Sequence, residues 1–279
     1  RGIEVKVWRL RPDTLELDLA DLDALMTPRT RLVCFTQATN ILGTIHPVAE
    51  ITRFVHERGA RVCVDGVAYA PHRLVDVRAW DVDFYVLSLY KVFGPHLGLL
   101  YGKREHLLEL SNINHLFLGR DAVPYKLQPG NLNYELAAGL PAIVEYLEEL
   151  GRRAGGTGTS RDLLAAAFEA IARHEGETVA PLLDFLRGRE GVRLLGVADP
   201  APERRVATVS LVVEGRSASE IPPHLDANRI GVRYGDFHAR RLIQDLGLAE
   251  RNGVVRISLA HYNTADEIAL LCGCLDEVL

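Results

Sequence analysis

The sequence predicts an α/β protein of two domains: a large domain on a mostly parallel sheet, over residues 1–154, and a smaller α+β domain over residues 155–279. In the first half, short apolar runs alternate with helical segments, which is typical of βαβ units. A glycine-rich stretch over residues 153–160 separates the halves. No strand precedes its glycines and no Gly-Lys-Ser/Thr follows them, so this stretch indicates a linker rather than a phosphate-binding loop.

The first elements follow one another at short intervals. In order, they are a strand over 3–8, a turn and short helix over 15–25, a strand over 30–36, a polar loop over 37–44, a helix over 47–58 and a strand over 60–65. Pro47 and Gly59 flank the second helix, as proline often begins a helix and glycine often follows its end. The strand–helix–strand order predicts a βαβ unit with a right-handed crossover.

The later elements include one long loop. In order, they are a strand over 83–88, a helix over 105–112, a loop over 114–133, an amphipathic helix over 134–151, a helix over 161–189 with a break near Glu175 and Gly176, strands over 192–195, 206–213 and 253–260, and helices over 219–228 and 264–278. Loops as long as residues 114–133 are usually functional or form interfaces. The strands after residue 190 predict an antiparallel sheet.

Composition narrows the class of protein. With 279 residues, of which 48% are hydrophobic, the chain can bury a large core. A net charge of −5 and a pI near 6.1 argue against nucleic acid or an anionic membrane as a partner. No apolar run approaches the ~20 residues that a membrane span needs, and no signal peptide is visible. The four cysteines lack the spacing of a metal site or a disulfide framework, and Cys34 and Cys63 lie in predicted buried strands, so we expect a reducing, cytoplasmic setting.

Two polar residues follow neighbouring predicted strands. Asp65 ends one apolar run, and Lys91 comes three residues after the next. Because ligands of α/β proteins bind at the carboxyl ends of parallel strands, we expect both at one edge of the sheet. The neighbours of Lys91 are largely apolar: Phe84, Tyr85, Val86, Leu87, Val92, Phe93 and Leu97. Such surroundings favour the neutral amine that a Schiff-base lysine needs, although a snorkelling or ion-paired structural lysine is equally compatible with the local pattern.

Several motifs around Asp65 and Lys91 agree together with a known family. They are Val64-Asp65-Gly66, Pro71-His72, Val75-Asp76-Val77, Asp83-Phe84, Ser88-x-x-Lys91-x-x-Gly94-Pro95 and Gly98-x-Leu100-Tyr101-Gly102. In order and spacing, this set resembles the class V aminotransferase superfamily, and within it the cysteine-desulfurase-like branch. The resemblance runs from about Leu15 to the carboxyl terminus. It implies the pyridoxal 5′-phosphate-dependent transferase fold, with pyridoxal 5′-phosphate as cofactor, a small amino acid as substrate and a homodimeric assembly.

The resemblance also implies roles for residues of the first half. Lys91 would form the Schiff base with the cofactor, and Asp65 would pair with the protonated pyridine nitrogen, although an Asp-Gly pair can also be a simple turn. Ser88 matches a serine that contacts the phosphate. Tyr90 stands where close relatives often carry a histidine, so a cofactor contact there is a weaker inference. Asn40 matches an asparagine that hydrogen-bonds the cofactor's 3′-oxygen, but a loop asparagine in a left-handed turn is the alternative.

Two other positions concern cofactor binding. Ala68 replaces a glutamine that many relatives carry, which puts a second contact to the 3′-oxygen in doubt. The loop from Gln128 to Asn133 matches a region that, in the family, reaches the neighbouring subunit's phosphate. Asn131 stands in it where a threonine is common.

Arg256 lies in a run whose alternation separates two faces. Val255, Ile257 and Leu259 share one face, so Arg256 points to the other. An arginine fixed on a strand can hold a carboxylate with two parallel hydrogen bonds. The family has an arginine at this point, which implies binding of the substrate's α-carboxylate. An exposed strand arginine without a role is the alternative.

His238 is the informative departure from the family. Cysteine desulfurases carry a cysteine on a mobile loop at this point, and its thiolate accepts the substrate's sulfur. Histidine cannot carry that sulfur, so persulfide formation is not expected. His238 could act as a general acid or base, or only fill the loop.

These observations leave two hypotheses of different classes. The first is a pyridoxal-phosphate enzyme, a transferase or lyase, that acts on a small amino acid through a Lys91 aldimine by elimination, transamination or epimerisation. The alternative is a catalytically incompetent fragment or fold relic that retains only a dimer or interaction surface. The family carries a further segment before this point and residue 1 is Arg rather than Met, so we expect an N-terminally incomplete chain.

Overall fold

The fold is described from a computed structural model that covers residues 2–128 and 130–279. Contacts divide the chain into two compact units with interleaved segments. The parallel-sheet unit comprises residues 26–37 and 47–167, and the antiparallel-sheet unit comprises the residues up to Leu25, 38–46 and 168–279. The sequence-based division into residues 1–154 and 155–279 remains a prediction, and the contact-based units do not follow it.

The parallel-sheet unit contains one four-stranded sheet in the order β1-β2-β3-β4. Its strands are β1 (Leu32–Thr36), β2 (Arg61–Asp65), β3 (Phe84–Ser88) and β4 (Gly98–Gly102). Strands β1, β2 and β3 run parallel, whereas β4 pairs with β3 in the antiparallel direction. The parallel order brings the carboxyl ends of β2 and β3 to one edge, as the sequence predicted.

The helices of this unit agree in place with the prediction. They are α2 (Val48–His56), α3 (Arg104–Glu109), α4 (Tyr134–Ala138) and α5 (Pro141–Arg153). The first helix of the chain, α1 (Leu19–Leu25), belongs to the antiparallel-sheet unit. Val48, Ile51 and Val55 form the buried face of α2, and Gly59 follows that helix in the left-handed conformation, with φ +74°. The predicted helix over 134–151 is interrupted, because Pro141 cannot continue the hydrogen bonding of α4 but suits the first position of α5.

Burial of the parallel strands differs from the prediction. In β1, Val33 and Phe35 are buried whereas Leu32 and Cys34 are exposed. Successive side chains of a strand point to opposite faces, so only one face of β1 is covered by the described residues. The expectation that Cys34 lies in a strand buried on both faces is therefore wrong for the chain described.

The antiparallel-sheet unit contains a second four-stranded sheet, in the order β5-β6-β8-β7. Its strands are β5 (Val192–Leu195), β6 (Thr208–Val213), β7 (Arg233–Gly235) and β8 (Val254–Ser258). Its helices after α1 are α7 (Pro222–Ala227), α8 (Arg240–Asp245), α9 (Ala265–Asp276) and the part of α6 (Ser160–Arg187) from Phe168 onward. All described strand pairs of this sheet are antiparallel. Residues from α6, α7, α9, β6 and β8 form one apolar core, so the predicted α+β arrangement is confirmed.

Two elements of the structure differ from the prediction. Helix α6 continues through Gly176 and Pro181 without the expected break. Leu182, Leu183 and Leu186, beyond the proline, are fully buried, and their packing holds the helix together where local propensity would end it. Residues 3–8 do not form the expected strand, because no described segment supplies the neighbouring hydrogen-bonded strand that an extended run needs.

Short 3₁₀ helices cover Leu89–Lys91, Tyr125–Leu127, Ala218–Glu220 and Ala249–Arg251. The predicted long loop over 114–133 is otherwise irregular where the structure describes it. Within residues 2–128 and 130–279, no helix is both long and apolar enough to cross a membrane.

Candidate active site

Asp65 ends β2 between two backbone hydrogen bonds that tie it to neighbouring strands. The Gln37 N–H donates to the Asp65 carbonyl at 2.8 Å, and the Gly66 N–H donates to the Val86 carbonyl at 2.9 Å. The Asp65 Oδ1 atom accepts a hydrogen bond from the Val67 N–H at 2.9 Å. Asp65 therefore makes the local turn that the simpler interpretation expects, and its side chain remains exposed at the carboxyl edge of the sheet.

Tyr85 packs against the turn that follows Asp65. Its side chain is fully buried, and its hydroxyl donates a hydrogen bond to Gln37 Oε1 at 2.6 Å. A Cβ atom at Gly66 would lie 1.9 Å from the Tyr85 oxygen, so only glycine fits after Asp65. Burial raises the pKa of Tyr85 well above its usual range. Sequence reasoning missed Tyr85 and Gln37; a tyrosine at a buried strand position, which needs a hydrogen-bond partner, was the available signal.

Ser88 and Lys91 lie at the same edge as Asp65. The register of β2 and β3 pairs Asp65, the last residue of β2, with Val86. Strand β3 continues for two more residues and ends at Ser88. Lys91 follows in the 3₁₀ helix and is half-buried. The Lys91 amine makes no hydrogen bond or ion pair within the described parts of the chain, so the structure offers no ion-paired role for it.

The turn after Lys91 is tightly constrained. Phe93 has a left-handed backbone with φ +59°, which is uncommon for a bulky residue. A Cβ atom at Gly94 would lie 2.2 Å from the Ile143 Cδ1 atom, so the Ser88–Gly94 turn requires glycine there. Tyr90 is 46% exposed, and its ring packs against His96 with 4.4 Å between centroids. Its role toward the cofactor remains a prediction.

Asn40 and Arg256 come together in the antiparallel-sheet unit. Arg256 Nη1 donates to the Asn40 carbonyl at 3.0 Å, and Asn40 Nδ2 donates to the Phe237 carbonyl at 2.7 Å. The guanidinium carbon of Arg256 lies 3.8 Å from the centroid of the Phe237 ring, a cation–π contact. Burial lowers the pKa of Arg256. Val255 and Ile257 are buried on the opposite face of β8, which confirms the predicted alternation.

His238 lies on a strained turn next to Phe237. Both residues have left-handed backbones, with φ +48° at Phe237 and φ +65° at His238. The Asp236 Oδ1 atom accepts from the His238 N–H at 3.0 Å, and the Asp236 carbonyl accepts from the Ala239 N–H at 2.7 Å. Backbone strain of this kind is held in place by surrounding contacts and occurs often at functional sites. The His238 side chain is exposed.

Asn131 is exposed in the loop before α4, and its predicted contact with a phosphate remains a prediction. Pro129 of the same loop lies outside the described residues. The neighbouring Asn133, which sequence reasoning did not single out, caps α4 by accepting a hydrogen bond from the Leu136 N–H at 2.9 Å.

Two cysteines lie opposite each other on adjacent parallel strands. Cys34 of β1 is in register with Cys63 of β2, and Asp65 shares the strand face of Cys63. A hydrogen bond from the Cys63 thiol lowers the pKa of Cys34 to about 7, and the same interaction raises the pKa of Cys63. Sequence reasoning left both cysteines out of the site because it placed them in fully buried strands.

Comparison with known proteins identifies the family. The Aminotransferase class-V profile matches residues 1–271, and the chain belongs to this family. The aminotransferase-like protein FGM3 of Gibberella zeae is 38% identical over 267 residues, covering 95% of this chain and 63% of that protein. The cysteine desulfurase-like protein ustD of Aspergillus flavus is 36% identical over 288 residues, covering 100% of this chain and 62% of that protein.

Solved structures show the same fold. The apo cysteine desulfurase of Thermococcus onnurineus is 26% identical with a TM-score of 0.78, covering 94% of this chain and 63% of that one. The cysteine desulfurase CsdA of Escherichia coli is 28% identical with a TM-score of 0.74, covering 94% of this chain and 62% of that one. The predicted family and fold are confirmed. The chain spans somewhat less than two thirds of the length of these relatives.

Class V aminotransferases and cysteine desulfurases depend on pyridoxal 5′-phosphate. The residues at the carboxyl edge of β2 and β3 fit that cofactor chemically. The Asp65 carboxylate matches a cationic ring nitrogen, and the Ser88 hydroxyl matches a phosphate. The Lys91 amine, which has no partner among the described residues, matches an aldehyde.

Proposed function

We propose that this chain carries the cofactor-binding residues of a pyridoxal-phosphate-dependent enzyme, a transferase or lyase, that acts on a small amino acid. The observation that carries the proposal is the placement of Asp65, Ser88 and Lys91 at one edge of the parallel sheet. Family membership supports it.

In this proposal, the parallel-sheet unit holds the cofactor. Lys91 would bind it covalently, and its amine, once displaced by the substrate's amino group, would be free to carry a proton to or from the substrate's α-carbon. Asp65 keeps a proton on the ring nitrogen, and the turn over Tyr85 keeps that carboxylate in place. Ser88 and Tyr90 contact the phosphate side. The bound cofactor supplies an electron sink for the bonds at the α-carbon.

The antiparallel-sheet unit contributes the remaining proposed roles. Arg256 holds the α-carboxylate of the substrate with the donors that it does not use on the Asn40 carbonyl. The Asn40 side chain contacts the cofactor's 3′-oxygen, and His238 serves as a general acid or base. Asn131 contacts the phosphate in a homodimer. These roles rest on matching family positions.

The reaction subtype follows from where protons go after a bond at the α-carbon is broken. Transamination and epimerisation would differ in where the proton is returned, whereas elimination would also require a leaving group on the substrate's side chain. Persulfide transfer is not part of the proposal, because His238 stands where desulfurases carry the sulfur-accepting cysteine. We place the enzyme in the cytoplasm on the basis of its cysteine usage.

A second candidate is a non-catalytic interaction protein. It is favoured by an exposed apolar cluster in the loop after α3, where Ile113 is 70% exposed, Phe117 82% and Leu116 fully exposed. Clusters of this kind often mark protein interfaces. The same cluster is compatible with the homodimer of the leading proposal.

The test is cofactor binding by the purified protein. The protein supplemented with pyridoxal 5′-phosphate should show a visible absorption band, which Lys91→Ala should abolish. Lys6→Ala changes an exposed lysine of the other unit and should retain the band. A colourless wild type would support the interaction protein instead.

A further inference from the structure

Two arginines face each other across β7 and β8. The register of these antiparallel strands pairs Arg233 directly with Arg256. Side chains at directly opposed positions project from the same face, with their Cβ atoms about 5 Å apart. Like charges in that arrangement repel each other, so the pair destabilises the sheet unless something negative lies near it.

The described residues do not supply the negative charge. Neither guanidinium forms an ion pair with a carboxylate in the described parts of the chain. Arg233 Nη1 donates only to the carbonyl of its neighbour Val232, at 3.1 Å. The carboxylate nearest in sequence, Asp236, accepts the His238 N–H. Elsewhere in the chain, arginines such as Arg152 and Arg153 lie beside glutamates.

The two arginines differ in their contacts. Arg256 is held by the Asn40 carbonyl and the Phe237 ring, whereas Arg233 is exposed and makes only its local contact. One fixed and one adjustable guanidinium suit a ligand with one constant anionic group and a second group whose position varies. A planar guanidinium binds carboxylates with two parallel hydrogen bonds.

We propose that the Arg233–Arg256 pair selects amino acids that carry a second anionic group on the side chain. Arg256 binds the α-carboxylate, and Arg233 binds the side-chain acid, so that two negative charges neutralise the two positive ones. This inference rests on the proposed function, because it takes the carboxylate role of Arg256 from it. It adds the class of substrate: dicarboxylic amino acids or close analogues.

The experiment compares each acid with its uncharged isostere. Binding of L-aspartate and L-asparagine, and of L-glutamate and L-glutamine, is titrated through the change in the cofactor's absorption, and kcat/KM is measured where turnover occurs. We expect wild type to prefer an acid over its amide by about 10- to 100-fold, and Arg233→Gln to reduce that ratio to near one. Arg233→Lys, which keeps the charge without the planar fork, should retain part of the preference.

Arg193→Gln is the matched control. Arg193 is also an exposed strand arginine of this sheet, but its cross-strand partner is Val212. This variant should keep the wild-type ratio. In thermal unfolding, Arg233→Gln should be at least as stable as wild type, because it removes a repulsion.

The outcomes distinguish a failure of this inference from a failure of the proposed function. If wild type binds amides as well as acids, or if Arg233→Gln keeps the acid preference, the inference is wrong while the proposed function stands. If Arg233→Gln weakens binding of pyridoxal 5′-phosphate itself and leaves the ratio unchanged, Arg233 serves the cofactor phosphate and the inference is wrong. If wild type responds to no amino acid, the proposed function fails as well.

Discussion

Single side chains in the antiparallel-sheet unit are fixed by partners that lie far away in the sequence. Arg256 contacts Asn40 and Phe237, and Asn40 contacts Phe237 in turn. The three residues form a closed set in which each restrains the other two. In the role that we propose for Arg256, such restraint would lower the entropy lost when a substrate carboxylate binds, which is the benefit of a preorganised arginine.

Arg256→Ala tests this role. We expect the protein to remain folded and to bind the cofactor, with a small loss of thermal stability from the missing Asn40 and Phe237 contacts. We expect kcat/KM for an amino acid to fall by about 30- to 1,000-fold, equivalent to ~2–4 kcal/mol. Lysine should be a poor replacement, since a point charge cannot reproduce the bidentate fork. The measurement compares an amino acid with the corresponding amine that lacks the carboxylate. A mutant that keeps the wild-type preference for the amino acid would show that Arg256 is a structural arginine only.

At the scale of elements, one buried carboxylate joins α2, α3, β2 and β3. Asp83 is 2% exposed, and each of its oxygens accepts a hydrogen bond from a histidine at 2.8 Å: Oδ2 from His56 and Oδ1 from His106. The Val62 N–H also donates to Oδ2 at 2.8 Å, and Lys103 Nζ lies 3.3 Å from Oδ1. Burial alone would raise the pKa of Asp83, but the hydrogen bonds from His56, Val62 and His106 outweigh it and lower the pKa to about 2.

Stability should therefore depend on pH through Asp83. Its pKa in the folded state lies below the ordinary value of 3.8, so its contribution is complete above about pH 4 and is lost as the pH falls toward 2. The contribution is about 1–2 kcal/mol. Urea unfolding at several pH values should show the difference between wild type and Asp83→Asn narrowing across this window. A difference that is constant from pH 5 to pH 2 would rule out the proton linkage, and the exposed Asp121→Asn serves as control.

The turn from Asp236 to Ala239 is the second element with a testable role. The family resemblance implies that His238 stands where desulfurases carry the sulfur-accepting cysteine, so we expect sulfide release from L-cysteine with persulfide transfer to be weak or absent. The assay is sulfide release with mass spectrometry of the four cysteines. Robust release with a persulfide on one of them would contradict this prediction, and Cys34, whose thiolate is favoured by Cys63, is the residue to inspect first.

At the scale of the whole chain, local sequence patterns predicted the features that depend on the order of the strands. The β1-β2-β3 order and the common edge of Asp65, Ser88 and Lys91 follow from alternating apolar runs and their polar ends. The one-sided burial of β1 could not be predicted, because burial depends on which elements pack over the sheet. The unbroken α6 and the Phe237–Arg256 contact depend on tertiary packing in the same way, and such contacts leave no local pattern.

We propose above that Lys91 is the residue to which the cofactor binds covalently. The most direct measurement is borohydride reduction of the protein with pyridoxal 5′-phosphate, followed by proteolysis and mass spectrometry of the lysine peptides. We predict one modified peptide, the one that contains Lys91, and loss of the visible band on reduction. Modification spread over Lys6, Lys103 and Lys126, or absent from Lys91 in a protein that binds the cofactor, would contradict the claim.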